Sequence, residues 1–239
     1  MKKIKKFFIF ALAILGVISM LSIGCKKSSD DSNNNPPVTT ITDKDGNVYH
    51  SVTIGTQVWM VENLRTTKYN DGTSIPTETV DNTWLHLTTP AYCWYNNDAS
   101  YKNTYGALYN WFAVNTGKLA PMGWHVPTDV EWHQLTDYLG GEILAGGKMK
   151  SKGTIQSATG LWTEPNTGAS NSSGFNAVPG GGRSGGGSFF AITEFALFWS
   201  STQYDDTKAW YRNLTNEGED VYHDNFRKQD GMSVRCIKD

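Results

Sequence analysis

The spacing of apolar residues predicts β-strands near both ends of the chain and one clear helix between them. Residues 48–54 alternate apolar and polar side chains, as a half-buried strand does. A turn at Gly55 leads into a second short strand over residues 57–61. Farther along, Thr128 and Glu131 have the spacing of a capping box, in which each side chain bonds the backbone amide of the other residue. This pair marks the start of a helix.

The helix that begins at Thr128 continues with apolar residues at spacings of three and four, and two glycines then end it. These positions are Trp132, Leu135, Leu139, Gly140 and Gly141. A second helix is predicted over residues 105–114, with Leu108, Trp111 and Phe112 turned inward.

The last third of the chain changes from loop to strand. Residues 161–188 are rich in Gly, Asn and Ser, a composition that favours long ordered loops over regular structure. Four segments with strand-like patterns follow, separated by turn residues: 195–201, 209–215, 220–226 and 232–237. In the last of them Met232, Val234 and Cys236 share a face, which is predicted to point inward.

The N-terminus has the layout of a secretory signal, with four lysines before an apolar run over residues 7–21. The run is shorter than the ~20 residues of a membrane-spanning helix, so we expect it to be cleaved. Residues 21–25 resemble the lipobox of bacterial lipoproteins, in which the cysteine, here Cys25, is acylated and becomes the new N-terminus. The alternative is an ordinary signal peptide that happens to end beside a cysteine.

The predicted domain organisation follows from this signal. Residues 1–24 form the signal peptide, and residues 25–40 comprise the lipidated cysteine and a polar tether that lacks large apolar side chains before Val38. Residues 41–239 form one folded domain. We therefore expect an exported protein, anchored by lipid at the outer membrane or cell surface.

Charge and composition narrow the classes of function. The chain has 21 basic and 23 acidic residues, a formal net charge of −2; without the four signal lysines the balance is 17 to 23, or −6. A mildly acidic chain without a basic run is a poor nucleic-acid binder. Aromatic residues make up 13% of the sequence, alongside 24 glycines. Rings with small polar side chains favour an extracellular domain that binds through rings and amides.

Two cysteines remain besides Cys25. In an oxidising compartment, Cys93 and Cys236 are most simply interpreted as one disulfide that closes a long loop. Two buried free thiols are the alternative. A metal site made of these two cysteines alone would lack the usual four ligands, so none is predicted.

Six short motifs occur in a characteristic order, and they cover nearly the whole domain. They are GTQVWMVENL (55–64), YCWYNN (92–97), YGALYNW (105–111), GWHVPT (123–128), FWSST (198–202) and SVRC (233–236). Together they resemble the Fibrobacter succinogenes major paralogous domain of secreted proteins and lipoproteins, from about residue 41 to residue 239.

That family is similar to the formylglycine-generating-enzyme group of C-type-lectin-like folds, which share the Pro-Thr-x-x-Glu-Trp helix start and a terminal Arg-Cys strand. The resemblance implies an α+β domain with two helices, a small twisted antiparallel sheet and long loops. Formylglycine-generating enzymes are oxidases that bind copper through paired cysteines. Cys236 has no second cysteine near it in the sequence. The resemblance therefore implies the scaffold and not the activity, and we expect no enzyme and no cofactor.

Two histidines near the predicted helix were considered as metal ligands. His125 and His133 are eight residues apart with Pro127 between them, which is not the spacing of a helical metal pair. His125 is predicted to pack in the turn before the helix, and His133 to face solvent. The sequence therefore predicts no metal site.

The predicted ligand surface is the hairpin formed by the second and third C-terminal strands. Lectin-like proteins commonly bind ligands at this sheet edge, and rings beside amides hold sugars or protein epitopes. The candidate ligand-binding residues are Trp210, Tyr211, Asn213, Tyr222, His223 and Asn225. The alternative is a solvated hairpin with ordinary cross-strand aromatic pairs.

The predicted function is a non-enzymatic binding or adhesion module for glycan or protein, tethered to a membrane by lipid. The alternatives are an enzyme on a formylglycine-generating-enzyme-like scaffold and a structural component of a surface assembly.

Overall fold

The computed structural model describes residues 40–239, in which the α-helices lie between a group of strands near each end. The predicted signal peptide, Cys25 and nearly all of the tether lie outside the described residues. Within residues 40–239 no helix is long and apolar enough to cross a membrane. The five α-helices in this range are α1 (Asp81–Leu85), α2 (Lys102–Tyr105), α3 (Trp111–Val114), α4 (Asp129–Tyr138) and α5 (Glu142–Met149).

The strands form two larger sheets and two small two-stranded ones, mostly antiparallel, so the fold class is α+β as predicted. The prediction of two helices and one small sheet is wrong, because the described residues form five α-helices and several sheets. The strands are β1 (Ile41–Thr42), β2 (Val48–Tyr49), β3 (Ser51–Ile54), β4 (Gln57–Met60), β5 (Tyr92–Cys93), β6 (Leu108–Tyr109), β7 (Trp124–His125), β8 (Gly180–Arg183), β9 (Phe189–Ile192), β10 (Phe195–Gln203), β11 (Lys208–Thr215), β12 (Tyr222–Arg227) and β13 (Ile237–Lys238). The five-stranded sheet has the order β12, β11, β10, β8, β9, and the four-stranded sheet the order β3, β4, β13, β7.

Helix α4 confirms the capping-box prediction. The Thr128 side chain accepts a hydrogen bond from the Glu131 amide, and the Glu131 carboxylate accepts one from the Thr128 amide. Trp132 and Leu135 are buried, and the Trp132 ring lies 4.8 Å from the ring of Trp59 in β4. The amphipathic spacing thus joins the helix to the four-stranded sheet through an aromatic core.

The predicted helix over residues 105–114 is wrong as a single element. Helix α2 ends at Gly106, whose backbone has a φ of +78°. Gly106 lies so close to Asn63 that a Cβ atom added to the glycine would come within 2.7 Å of the Asn63 Cβ. The chain then forms β6, and Asn110 caps the short helix α3 by accepting from the Ala113 amide. A turn at Gly106 and a new N-cap at Asn110 therefore divide the segment into helix, strand and helix.

The C-terminal predictions are confirmed for three strands, β10, β11 and β12. The fourth predicted strand, over residues 232–237, is only partly right, because regular strand structure there is confined to β13, which begins at Ile237. Residues 232–236 are all buried, not only the alternate ones, since their backbone bonds to several different segments. In the Gly-rich region, residues 180–183 form β8 inside the five-stranded sheet, where the prediction had only loop.

The disulfide prediction is wrong, because Cys93 and Cys236 are free thiols in the described domain. Each is buried in a different hydrophobic cluster: Cys93 packs in the one with Trp84 and Leu108, and Cys236 belongs to the main core. Burial raises the pKa of the Cys93 thiol to about 12 and raises that of Cys236 as well. Both behave as small apolar side chains, which was the alternative considered for the pair.

Buried cations hold the loops to this core. The Arg235 guanidinium donates to the carbonyl oxygens of Met60, Phe175 and Asn176 and to Oδ1 of Asn63, at 2.6–3.2 Å. It also lies 4.6 Å from the centre of the Phe175 ring. One side chain therefore joins the end of β4 to the Gly-rich region.

Arg183, the last residue of β8 in the five-stranded sheet, also holds loops in place. It is fully buried and donates to the carbonyl oxygens of Gly187 and Glu78 and to the Asp81 carboxylate, at 2.7–2.8 Å. Its guanidinium stacks 4.3 Å from the ring centre of Trp84. Arg183 thereby fixes the Gly-rich turn after β8 against helix α1.

Alkylation should find two free thiols. Unfolded protein comprising residues 38–239, treated with iodoacetamide without reductant, should gain two adducts by mass spectrometry, because both cysteines are unpaired. In the native state both should resist alkylation, since a buried thiol with a raised pKa supplies little thiolate. A sample reduced before alkylation is the control, and its mass should be the same. A Cys93–Cys236 peptide in a non-reducing digest would contradict the structure.

Replacing Arg235 by Met should strongly destabilise the domain. The change removes the Arg235 donors from three buried oxygen atoms, those of the Met60 and Phe175 carbonyls and Oδ1 of Asn63, at about 1–3 kcal/mol for each group left unsatisfied. We expect the free energy of unfolding in urea to fall by at least ~3 kcal/mol. Arg227→Met is the control, because Arg227 is exposed and exposed substitutions change stability by about 0.5 kcal/mol or less. Equal losses in the two variants would show that the Arg235 bonds contribute little.

Candidate ligand-binding site

The hairpin of β11 and β12 places the six predicted binding residues on two opposite faces. Side chains alternate along a strand, and the register pairs Trp210 with Asn225 and Asn213 with Tyr222. Trp210, His223 and Asn225 therefore share one face, whereas Tyr211, Asn213 and Tyr222 share the other. The predicted single patch is two separate surfaces.

The face with Tyr211, Asn213 and Tyr222 borders a cleft with a volume of about 810 Å³. The opposite wall comes from Thr163 and Glu164, in the long loop between α5 and β8, and from Glu194 in the turn between β9 and β10. A volume of this size lies within the ~300–1,000 Å³ typical of small-molecule sites. Four of the six predicted residues thus line one concave site, because His223 also contributes to the lining although its ring lies on the other face of the hairpin.

Carboxylates dominate the electrostatics of this cleft. Glu164, Glu194, Glu217 and Asp224 contribute to its lining, and none of the described lining residues is Lys or Arg. Glu164 and Glu194 could not be predicted as part of the site, because they lie outside the hairpin in sequence and reach it only through the fold. An acidic cleft repels anions and attracts cationic or hydroxyl-rich groups.

Phenol and amide groups are among the other polar groups of the cleft, together with threonine and histidine side chains. Burial raises the pKa of Tyr211 to about 12, with a further contribution from the nearby Asp224 charge. A hydrogen bond with Asp220 raises the pKa of Tyr222. Both phenols therefore keep their protons at neutral pH. Oδ1 of Asn213 is buried and has no hydrogen-bond partner among the described residues.

A buried lysine fixes the rim of the cleft. Lys150 Nζ, at the end of α5, donates to the carbonyl oxygens of Thr167, Thr215 and Gly218 at 2.7–2.8 Å. Burial lowers the pKa of this ammonium group to about 8, which leaves it mostly charged at neutral pH. The turn that follows β11 is thereby joined to the loop around residue 167.

The backbone at Gly146 adds to this constraint. A Cβ at this position in α5 would overlap with the carbonyl oxygen of Asp220, so only glycine permits the close approach of helix and rim. Asn216 completes the rim, because its side-chain amide donates to the Glu164 carbonyl and its backbone amide to the Glu194 carbonyl. The cleft is therefore preorganised by backbone contacts.

The other face of the hairpin packs against helix α4. The Trp210 ring lies 4.2 Å from the His223 ring, and the His223 ring lies 4.7 Å from the ring of His133. The prediction that His133 faces solvent is only half right, because its side chain is 41% exposed and contacts His223. Asn225 is half-buried beside Asp224, to whose Oδ1 its own amide donates.

A buried ion pair anchors this face. Arg212 is fully buried and donates to Oδ1 of Asp129 at 2.8 Å. His223 Nε2 lies 3.2 Å from the same oxygen. Burial and the Arg212 charge lower the pKa of His223. Asp129 was not predicted as a site residue, although its four-residue spacing from His133 places both side chains on one helix face.

His125 lies in the short strand β7 before α4, where it pairs with Ile237 of β13, and not in a turn as predicted. Its ring bonds Asp239 at 2.7 Å and Glu131 at 2.9 Å. Burial disfavours the charged ring, but the two carboxylates outweigh it and raise the pKa of His125. This histidine therefore braces the chain terminus against the helix cap.

Comparison with known proteins identifies the family of this chain. The family model described as the Fibrobacter succinogenes major domain matches residues 52–238, and the chain belongs to that family. The resemblance seen in the six sequence motifs is thereby confirmed. No curated protein and no solved structure matches the chain.

Proposed function

We propose that the chain is an exported, lipid-anchored binding or adhesion module, and that the acidic cleft beside the β11–β12 hairpin holds its ligand. The module acts without catalysis, on glycans or proteins at the outer membrane or cell surface. The observation that carries the proposal is the unpartnered Oδ1 of Asn213, which is buried between two tyrosines of a large cleft. Buried polar atoms nearly always have a partner, and a bound ligand would supply one.

The chemistry of the lining favours a neutral or cationic ligand. Hydroxyl or ammonium groups would donate to the carboxylates of Glu164, Glu194 and Asp224, and to the Asn213 oxygen. The half-exposed ring of Tyr222 offers an apolar face against which a sugar ring packs. A neutral glycan has hydroxyl groups that donate, a sugar ring that packs on Tyr222, and no negative charge. An acidic glycan would bring its charge beside four carboxylates.

The proposal also places the domain among the C-type-lectin-like folds. Its support is the Pro127-Thr128 start of α4, followed by Glu131 and Trp132, and the Arg235-Cys236 pair just before β13. In that fold group the sheet edge beside the long loops commonly binds ligands, and here the cleft lies at β11 and β12.

Binding should depend on Tyr222 and Asn213. A screen of neutral and acidic glycans and of basic and acidic peptides against residues 38–239 should return neutral or basic ligands. Tyr222→Ala and Asn213→Ala should each weaken the selected ligand at least tenfold by calorimetry, because central contacts are worth about 2 kcal/mol and ~1.4 kcal/mol is tenfold. Tyr211 is left intact, since it packs on Trp199 and Phe226 and supports the fold.

The matched control is Tyr138→Ala, which removes a ring that is 66% exposed on α4, outside the cleft. It should leave both affinity and thermal stability unchanged. Unaltered affinity in folded Tyr222→Ala and Asn213→Ala would place the binding site elsewhere. Copper-dependent oxidation of a thiol peptide by the wild-type protein would refute the non-enzymatic assignment.

Membrane attachment should depend on Cys25. Cys25→Ala removes the thiol that carries the lipid in a lipobox, so metabolic labelling with a radioactive fatty acid should disappear and the protein should leave the membrane fraction. Cys93→Ala is the control and should retain both label and fractionation. A Cys25→Ala protein that still incorporates the label would show that the lipobox interpretation is wrong.

A further inference from the structure

Three metal-ligating side chains converge on the face of the hairpin opposite the cleft. Asp129 and His133 lie one turn apart on α4, and His223 projects from β12 toward them. One ligand atom from each, two imidazole nitrogens and a carboxylate oxygen, lies within 4.8 Å of the other two. The three come from segments almost a hundred residues apart, so only the folded chain brings them together.

The carboxylate of Asp129 is held in place by its surroundings. Buried Arg212 binds Oδ1 at 2.8 Å, and the Asp129 amide donates to Thr202 Oγ1 at 2.9 Å. Oδ2 faces His133 Nε2 at 3.5 Å, which is too long for a hydrogen bond. One oxygen is therefore committed to structure, whereas the other points at an imidazole without bonding it.

Two further atoms in this cluster lack hydrogen-bond partners among the described residues. They are Nε2 of His223 and Oε1 of Glu142, and both are inaccessible to solvent. Glu142 Oε1 lies 3.6 Å from Nδ1 of His133, on the side of the ring away from Asp129. A carboxylate behind a histidine is the usual outer partner of a metal-bound imidazole, because it orients the ring and increases its basicity.

We propose that Asp129, His133 and His223 bind one divalent ion of the zinc class, with Glu142 as the outer partner of His133. Two nitrogens and one carboxylate oxygen suit Zn²⁺, whereas Ca²⁺ takes six to eight oxygens. Zn²⁺ holds its donors at about 2.0–2.2 Å, so neighbouring donors lie roughly 3.5 Å apart. Because the three ligand atoms lie within 4.8 Å of one another, no separation has to shorten by more than roughly 1.3 Å, and the half-exposed His133 side chain is free to make this movement.

The ion would act as a brace between α4 and the hairpin. Helix α4 is joined to β11 by the Arg212–Asp129 pair, and a metal would add a bond from the helix to β12. Because the opposite face of the same hairpin lines the cleft, the brace would stiffen one wall of the proposed ligand site. The metal proposal rests on its own residues and does not require a ligand in the cleft.

The test is zinc titration of the full-length chain, purified in detergent without a polyhistidine tag and stripped with EDTA. Cys25→Ala is included throughout, because its thiol would otherwise bind zinc. We expect calorimetry to show one saturable equivalent of Zn²⁺ and thermal unfolding to move to higher temperature on zinc addition, since a ligand of the folded state stabilises it. Cobalt substitution should give the visible absorption bands of a four-coordinate site.

His133→Ala and His223→Ala should each weaken zinc binding more than about tenfold, because each removes a direct ligand and loss of an outer partner alone costs about 10–100-fold. His133→Ala is the decisive variant. The His133 side chain is partly exposed, so its loss should leave the fold intact, whereas loss of His223 would also remove a ring contact with Trp210. The control is His50→Ala, since His50 lies 2.6 Å from the Glu62 carboxylate and offers an adventitious surface site. Absence of saturable binding, full affinity in His133→Ala, or loss of binding in His50→Ala would each overturn the proposal.

Discussion

The structure depends on buried cations that bind backbone carbonyl groups. Much of the chain is loop, and a loop that passes near the core must satisfy its polar backbone without a strand or helix partner. Arg235, Arg183 and Lys150 supply these bonds as charged donors with several hydrogen atoms each. The ring faces of Phe175 and Trp84 cover the two guanidinium groups and offset part of the cost of burying them. Cores, loops and cleft are joined through these few side chains.

What could be predicted from the sequence was local. The capping box at Thr128 needs only neighbouring residues, and the alternation in β10, β11 and β12 needs only the strand itself. The helix predicted over residues 105–114 failed because Gly106 meets Asn63, a contact between distant segments that no periodicity records. The two cysteines failed for the same reason, since an even count does not say which hydrophobic cluster each thiol enters.

The candidate site was half predictable. Tyr211 and Asn213 are an odd number of residues from Trp210 in the same strand. Because side chains alternate between the two faces of a strand, the sequence alone places Trp210 on the face opposite the other two. Which residues of β12 join each face depends on register, and only the structure pairs Asn213 with Tyr222. The carboxylates of the opposite wall, such as Glu194, come from outside the hairpin and carry no local signal.

Anchoring through carbonyl oxygens has an evolutionary consequence. The oxygen atoms that Lys150 binds in the rim belong to Thr215 and Gly218, but every amino acid would present the same oxygen there. Side chains along the rim are therefore free to mutate while its path is preserved, apart from glycines such as Gly146 that allow close approach. A scaffold of this kind separates foldability from specificity, so gene duplication would yield copies that share an architecture and recognise different molecules.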